Sequence, residues 1–182
     1  SPRSVDGLRE TVALIEKAGG RAAWVEADLG NDAERATLVA RAAGHFGAID
    51  ILVNNAAGIS RYAPASQIDL AARRAMFELN FHAPLDLIQQ ALPSMRAQQW
   101  GRILNISSEM AQQPQPPFEG PAKMIHALTL YGASKSALER ASLGLAAELD
   151  GSGVHVNVLS PYKIAVTEGA LEIAKKMVAT HP

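Results

Sequence analysis

The sequence predicts an α/β domain built on a parallel β-sheet, and three observations lead to this prediction. Apolar residues recur at helical spacing in several long segments, and short compact apolar runs lie between those segments. Turn-forming residues, glycine above all, separate the two kinds of segment. Because helix and strand alternate along the chain, the strands should run parallel and be joined by helical crossovers.

The first elements are a predicted helix and a predicted strand. Apolar residues at helical spacing run from Val5 to Ile15, and the Gly19-Gly20 pair ends this helix. The stretch from Ala22 to Ala27 then indicates a short strand.

A second helix leads into a strand that should lie inside the sheet. Asn31 or Asp32 can cap this helix, and Gly47 ends it. The compact apolar run from Ile49 to Val53 is typical of a strand that is buried on both faces.

A long helical pattern follows, from a capping-box sequence that starts at Ser66 to about Gln99. Pro84 and Pro93 predict a kink or a break in this helix, because proline removes a backbone donor and crowds the preceding turn. The run from Ile103 to Ile106 indicates another buried strand.

The last part of the chain continues the alternation. In order, we predict a Pro- and Gln-rich loop over 112–121, a helix over 128–149, a turn over 151–153, a strand over 154–159 and a helix capped by Thr167. No repeat or linker divides the chain, so residues 1–182 are predicted to form a single domain.

Composition excludes several classes of function. A formal net charge of −1 gives no basic footprint for nucleic acid and no polybasic run for a membrane surface. No apolar stretch approaches the length that spans a bilayer. The absence of cysteine excludes disulfides and thiolate zinc sites, and we predict a cytoplasmic protein. The five histidines show no metal-binding spacing, so no metal is predicted.

Tyr131 and Lys135 lie four residues apart on a predicted helix, which sets them one turn apart on the same face. An ammonium about 5 Å from a phenol, at an effective dielectric constant of about 20, favours the phenolate by roughly 3 kcal/mol. That energy lowers a phenol pKa by roughly two units. The pair could therefore exchange protons with a substrate near neutral pH.

Further segments surround this pair in a fixed order. They are Asp28 at the end of the early strand, Asn54-Asn55-Ala56-Ala57-Gly58 after the buried strand, Asn80 in the long helix, Asn105-Ile106-Ser107-Ser108 at the next strand end, and Val156-Asn157-Val158-Leu159-Ser160-Pro161. Together with Tyr131 and Lys135, this set resembles the short-chain dehydrogenase/reductase family from about Gly7 to Thr167. The resemblance implies a Rossmann-like, doubly wound parallel sheet with helices on both faces.

The resemblance also implies an oxidoreductase that transfers a hydride between NAD or NADP and a carbonyl or alcohol substrate. Tyr131 would act as the acid/base, and Lys135 would lower its pKa and bind the nicotinamide ribose. Ser108 would hold the substrate oxygen, and Asn80 would connect Lys135 to solvent through water. Ser107 is an alternative to Ser108, because a slip of one residue turns a strand side chain to the other face.

The implied cofactor-binding residues lie after the strand ends and on the Tyr131 helix. They are Asp28, Leu29, Asn55, Ala56, Ala57, Tyr131, Lys135, Pro161, Ile164 and Thr167. Asp28 would contact the adenine ring. Tyr162 stands where the family commonly has glycine, which weakens the assignment of Ile164 and Thr167.

The sequence departs from the family at its start and within an insertion. The family opens with a strand, a Gly-rich turn and a helix that bind the pyrophosphate, and this chain begins after that unit. We therefore expect a longer protein, which also supplies a C-terminal strand and the residue that selects NAD or NADP. The segment between Ser108 and Tyr131 is longer than usual, and its part from Gln112 to Ile125 should form a proline-stiffened lid over the substrate.

Two expectations concern partners and activity. The resemblance implies a homo-oligomer, a dimer or a tetramer, joined through the long helix and the Tyr131 helix. Their outward sides are expected to carry Leu85, Leu92, Ala137, Leu138, Ala141 and Leu145. The alternative to an enzyme is an inactive scaffold of the same fold that acts as a binding or regulatory protein.

Overall fold

The computed structural model describes residues 5–112 and 126–161. The elements in chain order are α1 (Val5–Lys17), α2 (Asp32–Arg35), α3 (Leu38–Phe46), β1 (Ile51–Asn54), a 3-10 turn (Ala65–Gln67), α4 (Leu70–Phe77), a π-helix (Glu78–His82), α5 (Ala83–Ala97), β2 (Gly101–Ile106), a second 3-10 turn (Glu109–Ala111), α6 (Thr129–Glu148) and β3 (Val154–Leu159). Helices alternate with strands, which confirms the predicted α/β class.

The described strands form one parallel sheet in the order β1-β2-β3. Asn54, the last residue of β1, pairs with Asn105 of β2, and Ile106 pairs with Leu159 of β3. The carboxyl ends of all three strands therefore lie at one edge of the sheet, where ligands bind in open α/β folds.

The core forms where α5 packs against one face of the sheet. Buried α5 residues recur at helical spacing, as expected for a helix with a single apolar stripe. The core cluster consists of Ile88, Ala91, Leu92, Met95, Ile103, Leu149, Val154 and Val156. Leu92 and Leu138 belong to the interior, with 9% and 0% of their surface exposed, so their predicted outward orientation is wrong. Leu92 belongs to the core cluster that packs on the sheet.

The segment from Ala22 to Ala27 is not a strand, contrary to the prediction. A strand needs a neighbour that pairs with its backbone, and within residues 5–112 and 126–161 the sheet contains only β1, β2 and β3. The segment is held instead by Arg41 of α3, which donates a hydrogen bond to the Glu26 carbonyl at 2.8 Å.

The predicted second helix forms as two pieces, α2 and α3. Asn31 is the residue that caps α2, and its side chain accepts hydrogen bonds from the backbone of Ala33 and Glu34. Gly47 ends α3 with a φ of 96°, a backbone conformation that glycine adopts without strain.

The long helix begins at a different residue from the one predicted. Ser66 lies in a 3-10 turn, and Asp69 caps α4 by accepting a hydrogen bond from the Ala72 backbone at 2.8 Å. The capping-box prediction is therefore wrong, because the acidic residue at its end serves as the cap itself.

The predicted irregularity takes the form of the π-helix at Glu78–His82, just before Pro84. A proline ring crowds the carbonyl four residues earlier, here that of Asn80, and a widened turn relieves the clash. Pro93 lies inside α5 without ending it.

Some predictions fall outside the described residues. They are the Pro-rich loop beyond Gln112, the positions of Tyr162, Ile164 and Thr167, and the last helix. Among the helices that are described, none combines the length and the apolar character that a bilayer span requires.

Candidate active site

Buried amides fix the sheet edge at which the predicted site residues meet. Asn54 donates a hydrogen bond to the Asn105 side-chain oxygen at 2.8 Å, and Asn105 donates to Ser142 Oγ on α6 at 2.8 Å. Ser142 Oγ in turn donates to the Leu138 carbonyl at 2.6 Å. A satisfied buried network of this kind holds β1, β2 and α6 in one arrangement.

Asn80 is fully buried in the π-helix and binds the turn that follows β1. Its Oδ1 accepts from the Gly58 backbone N–H at 2.9 Å, and its Nδ2 donates to the Gly58 carbonyl at 2.9 Å. Nδ2 also donates to Ser134 Oγ, at 3.1 Å, one residue before Lys135. A water-mediated link from Asn80 to Lys135 stays a prediction.

The two serines at the end of β2 point in different directions. Ser108 hydrogen-bonds to the Tyr131 side chain, and its Oγ also accepts from the Met110 backbone at 3.2 Å. Ser107 is buried and donates to the Glu139 carboxylate at 2.5 Å. Ser108 is therefore the serine that the fold brings to Tyr131.

The 3-10 turn after Ser108 packs closely against the first turns of α6. Ser136 Oγ donates to the Ala111 carbonyl at 2.5 Å. Gly132 lies so close to this turn that a Cβ on it would collide with the Met110 carbonyl. This contact sets the position of Ser108 relative to Tyr131.

Tyr131 and Lys135 both lie in α6, and burial affects the two groups in opposite directions. Removal from water raises the pKa of Tyr131, while the hydrogen bond with Ser108 lowers it in part. Burial lowers the pKa of Lys135 to about 8, and its Nζ donates to the Ile106 carbonyl at 2.8 Å. The net pKa of Tyr131 is therefore raised, because desolvation of the phenol outweighs the hydrogen bond with Ser108, and a lowering of this pKa by Lys135 stays a prediction.

The lowered pKa of Lys135 predicts a stability that rises with pH. In the unfolded chain Lys135 titrates near its ordinary pKa of 10.5, and in the folded protein near 8. Between these values the unfolded chain binds more protons, so the free energy of unfolding should increase by ~2 kcal/mol from about pH 7 to about pH 9.5. Lys135→Met should remove this increase. Denaturant titrations of both proteins at the two pH values measure it, and equal pH dependence would contradict the prediction.

Four of the predicted cofactor-binding residues, in two loops, are open to solvent. Asn55, Ala56 and Ala57 are exposed directly after β1. Asp28 is also exposed, and its carboxylate accepts from the Gly30 backbone at 2.9 Å. Leu29 and Pro161 are partly buried.

These groups fit a nucleotide ligand. Small side chains after β1 leave the backbone accessible to a ligand. An ammonium has three donors, and within the described part of the chain the bond to Ile106 uses one of those of Lys135. The remaining donors could bind ribose hydroxyls. No group of three His, Cys, Asp or Glu side chains in the described residues could hold a metal ion.

Tyr62 is a neighbour of Tyr131 that the sequence patterns did not indicate. It is 40% exposed in the loop after β1. Burial raises the pKa of Tyr62, and the neighbouring Tyr131 raises it further. The loop is fixed just before this position, because Ser60 Oγ donates to the Ala72 carbonyl at 2.6 Å and Arg61 pairs with Asp69 at 3.0 Å. A tyrosine in a loop gives no periodic signal.

Comparison with known proteins decides the family. Residues 2–177 match the family model of the short chain dehydrogenases. The chain belongs to this family. It is 32% identical over 165 residues to the ketoacyl reductase HetN of Nostoc sp., an alignment that covers 91% of this chain and 54% of HetN. It is 30% identical over 156 residues to a cis-4-hydroxycyclohexanecarboxylate dehydrogenase of Sinomonas cyclohexanicum, covering 86% of this chain and 59% of that enzyme.

A solved structure confirms the predicted Rossmann-like fold. A metagenomic short-chain oxidoreductase in complex with NADP superposes with a TM-score of 0.77 at 28% identity, over 99% of this chain and 77% of that one. This short chain dehydrogenase spans about half the length of the curated relatives that it matches, 54% for the first two.

Proposed function

We propose that the whole protein is an NAD- or NADP-dependent oxidoreductase that interconverts a small-molecule carbonyl and the corresponding alcohol. The observation that supports this proposal best is the hydrogen bond between Ser108 and Tyr131, with the buried Lys135 one turn further along α6. Relatives named as reductases and dehydrogenases, and a structural neighbour bound to NADP, give independent support.

The residues that would hold the dinucleotide are spread along the carboxyl edge of the sheet. Asp28 and Leu29 would contact the adenine end, and the exposed backbone from Asn55 to Ala57 would contact the middle of the ligand. Tyr131, Lys135 and Pro161 would contact the nicotinamide end. When bound, the nicotinamide donates or accepts the hydride.

Tyr131 holds the proton that the substrate oxygen gains or loses. Its raised pKa keeps the phenol protonated at neutral pH, so it begins a reduction as a proton donor to the carbonyl oxygen. In the oxidation direction the phenol must ionise. The Lys135 ammonium and the Ser108 hydroxyl are the neighbouring groups that would stabilise that anion.

Ser108 positions the substrate oxygen. Its hydroxyl hydrogen-bonds to Tyr131, so an oxygen that approaches Tyr131 would also lie within reach of Ser108. A donor already fixed at the place where negative charge develops lowers the barrier without further reorganisation. Asn80 holds the turn at Gly58 and the Ser134 side chain, and so positions the residues around Lys135.

Ser108→Ala and Ser107→Ala form a matched test of this function. Loss of the positioned donor should lower kcat/KM by about a hundredfold in Ser108→Ala. Ser107 binds Glu139 instead, so its replacement should leave kcat/KM within a few-fold of the unmodified protein. Nicotinamide absorbance with a panel of ketones and aldehydes measures both. Equal losses in the two variants would argue against Ser108 as the acting hydroxyl, and no turnover with NAD or NADP on any substrate would refute the function.

The inactive-scaffold alternative gains no support, because the predicted catalytic side chains gather around the first turns of α6 with competent chemistry.

We also propose a homo-oligomer in the cytoplasm. Leu143 of α6 is 65% exposed, as a subunit contact would require. Light scattering that gives a monomer mass would refute the oligomer.

A further inference from the structure

Arg35 is a buried cation outside the proposed reaction centre. It lies in the short helix α2, and only 2% of its surface is exposed. Within the described residues, Lys135 is the other buried cation. A buried charge is costly unless it is paired and hydrogen-bonded, so the partners of Arg35 indicate what it does.

The guanidinium of Arg35 binds three different elements. Nε donates to Asp86 of α5 at 2.7 Å, and one terminal nitrogen donates to Glu78 of the π-helix at 2.6 Å. The other terminal nitrogen donates to the Leu29 carbonyl at 2.5 Å. Burial alone would lower the pKa of Arg35, but the bonds to Asp86 and Glu78 raise it, so the group stays charged. Arg35 therefore fixes the distance between Leu29 and the helical segment.

One end of this link is the turn at Asp28 and Leu29. Glu34, the residue before Arg35, accepts a hydrogen bond from the Asp28 backbone at 2.8 Å. The Asp28 carboxylate accepts from the Gly30 backbone at 2.9 Å. The turn is thus shaped by its own side chain and attached to the structure through α2.

The other end is the π-helix. Glu78 is its first residue, and Asn80 follows two positions later. Single π-turns are rare and have weaker backbone geometry than an α-helix, so they depend on surrounding contacts. Arg35 holds this segment at Glu78, while Gly58 and Ser134 hold it at Asn80.

We propose that Arg35 is a positioning residue that couples the adenine-side turn at Asp28–Leu29 to the π-helix that presents Asn80. Loss of the guanidinium would loosen both the turn and the π-helix. Dinucleotide binding would weaken, and Asn80 would be displaced from the Lys135 side of the site. The proposal rests on the proposed function for the ligand at the turn, and it concerns a residue that does not touch the reacting atoms.

Arg35→Met tests this coupling in the whole protein. Methionine fills much of the same volume. Removing one partner of an ion pair costs stability, but the carboxylates left behind, Glu78 and Asp86, have side chains 35% and 43% exposed and can be solvated, so the variant should fold with reduced stability. The dissociation constant for NAD or NADP, from a titration of tryptophan fluorescence, should rise about tenfold. At saturating dinucleotide, kcat should also fall about tenfold, because a misplaced supporting group reduces turnover at a distance.

Two other arginines provide matched controls. Arg96→Met breaks the exposed pair between Arg96 and Glu148, which are 2.8 Å apart at the carboxyl-terminal ends of α5 and α6. This variant should change neither the dissociation constant of the dinucleotide nor kcat. Arg41→Met removes the bond to the Glu26 carbonyl without touching the π-helix, and should raise the dissociation constant alone. The proposal would be overturned if Arg35→Met left the dissociation constant and kcat unchanged. It would also be overturned if Arg35→Met and Arg96→Met lost equal dinucleotide affinity and turnover.

Amide hydrogen exchange separates this proposal from the proposed function, because it needs no ligand. In Arg35→Met the Gly30 and Gly58 amides should both exchange faster, since their acceptors are Asp28 at one end and Asn80 at the other. Arg41→Met should leave the Gly58 amide unchanged. If both amides in Arg35→Met exchange as slowly as in the unmodified protein, the coupling is refuted. Failure of the unmodified protein to bind either dinucleotide would refute the proposed function instead.

Discussion

Replacing Tyr131 with Phe is expected to lower turnover by at least about a hundredfold while the protein stays folded. The variant keeps the ring that packs in the half-buried site and removes only the hydroxyl that would exchange a proton with the substrate. Ser108 would keep its bond to the Met110 backbone, so the 3-10 turn has no reason to move. The loss should therefore appear in kcat and not in the melting temperature.

Tyr62→Phe is the matched control for this variant. Tyr62 is the second phenol close to Tyr131, and its hydroxyl has no assigned part in the proton transfer. Turnover of Tyr62→Phe should stay within a few-fold of the unmodified protein. Steady-state rates at saturating dinucleotide compare the two, and near-normal turnover of Tyr131→Phe would exclude it as the acid/base.

The positions of β1, β2 and β3 could be predicted because each is a compact apolar run bounded by turn residues. The predicted burial of β1 on both faces is wrong, because Ile51 and Val53 are 59% and 51% exposed. The segment from Ala22 to Ala27 has a similar local pattern and is not a strand, because strand formation also requires a paired neighbour. Local sequence describes what a segment can form, and pairing decides whether it does so.

Part of the candidate site could likewise be predicted from local sequence, and the rest depends on contacts that only the fold creates. The four-residue spacing of Tyr131 and Lys135 could be interpreted directly, because a helix turns spacing into a shared face. The choice of Ser108 over Ser107 required the observed direction of each side chain. Arg35 and Tyr62 were missed because their partners, such as Asp86 and Tyr131, are distant in sequence.

The direction of the Tyr131 pKa shift could not be predicted from spacing either. A Coulomb estimate between Tyr131 and Lys135 assumes that the ammonium faces the phenol, and it leaves out the cost of removing both groups from water. In the structure Lys135 donates to the Ile106 carbonyl and both groups are removed from water. Desolvation then dominates, as it does for buried ionisable groups in general.

Gly132→Ala should damage both stability and activity, because of the contact between α6 and the turn after Ser108. A Cβ at this position collides with the Met110 carbonyl, a backbone atom that cannot rotate away. The helix and the 3-10 turn must separate, at a cost of about 1–3 kcal/mol for an overpacked site. Separation would also pull Ser108 away from Tyr131, so kcat/KM should fall about tenfold or more.

Gly144→Ala, on the same helix, isolates this steric effect from helix propensity. A Cβ at Gly144 meets only the Arg140 side chain at 3.7 Å, an ordinary contact. Alanine loses less conformational entropy than glycine in a helix interior, so this variant should gain about 0.5–1 kcal/mol. Both variants add one methyl group, and denaturant titrations should show a loss of stability for Gly132→Ala and a gain for Gly144→Ala. Measurements of kcat/KM on both variants check the effect on activity. If Gly132→Ala is as stable and active as Gly144→Ala, the close approach at Met110 does not fix Ser108 against Tyr131.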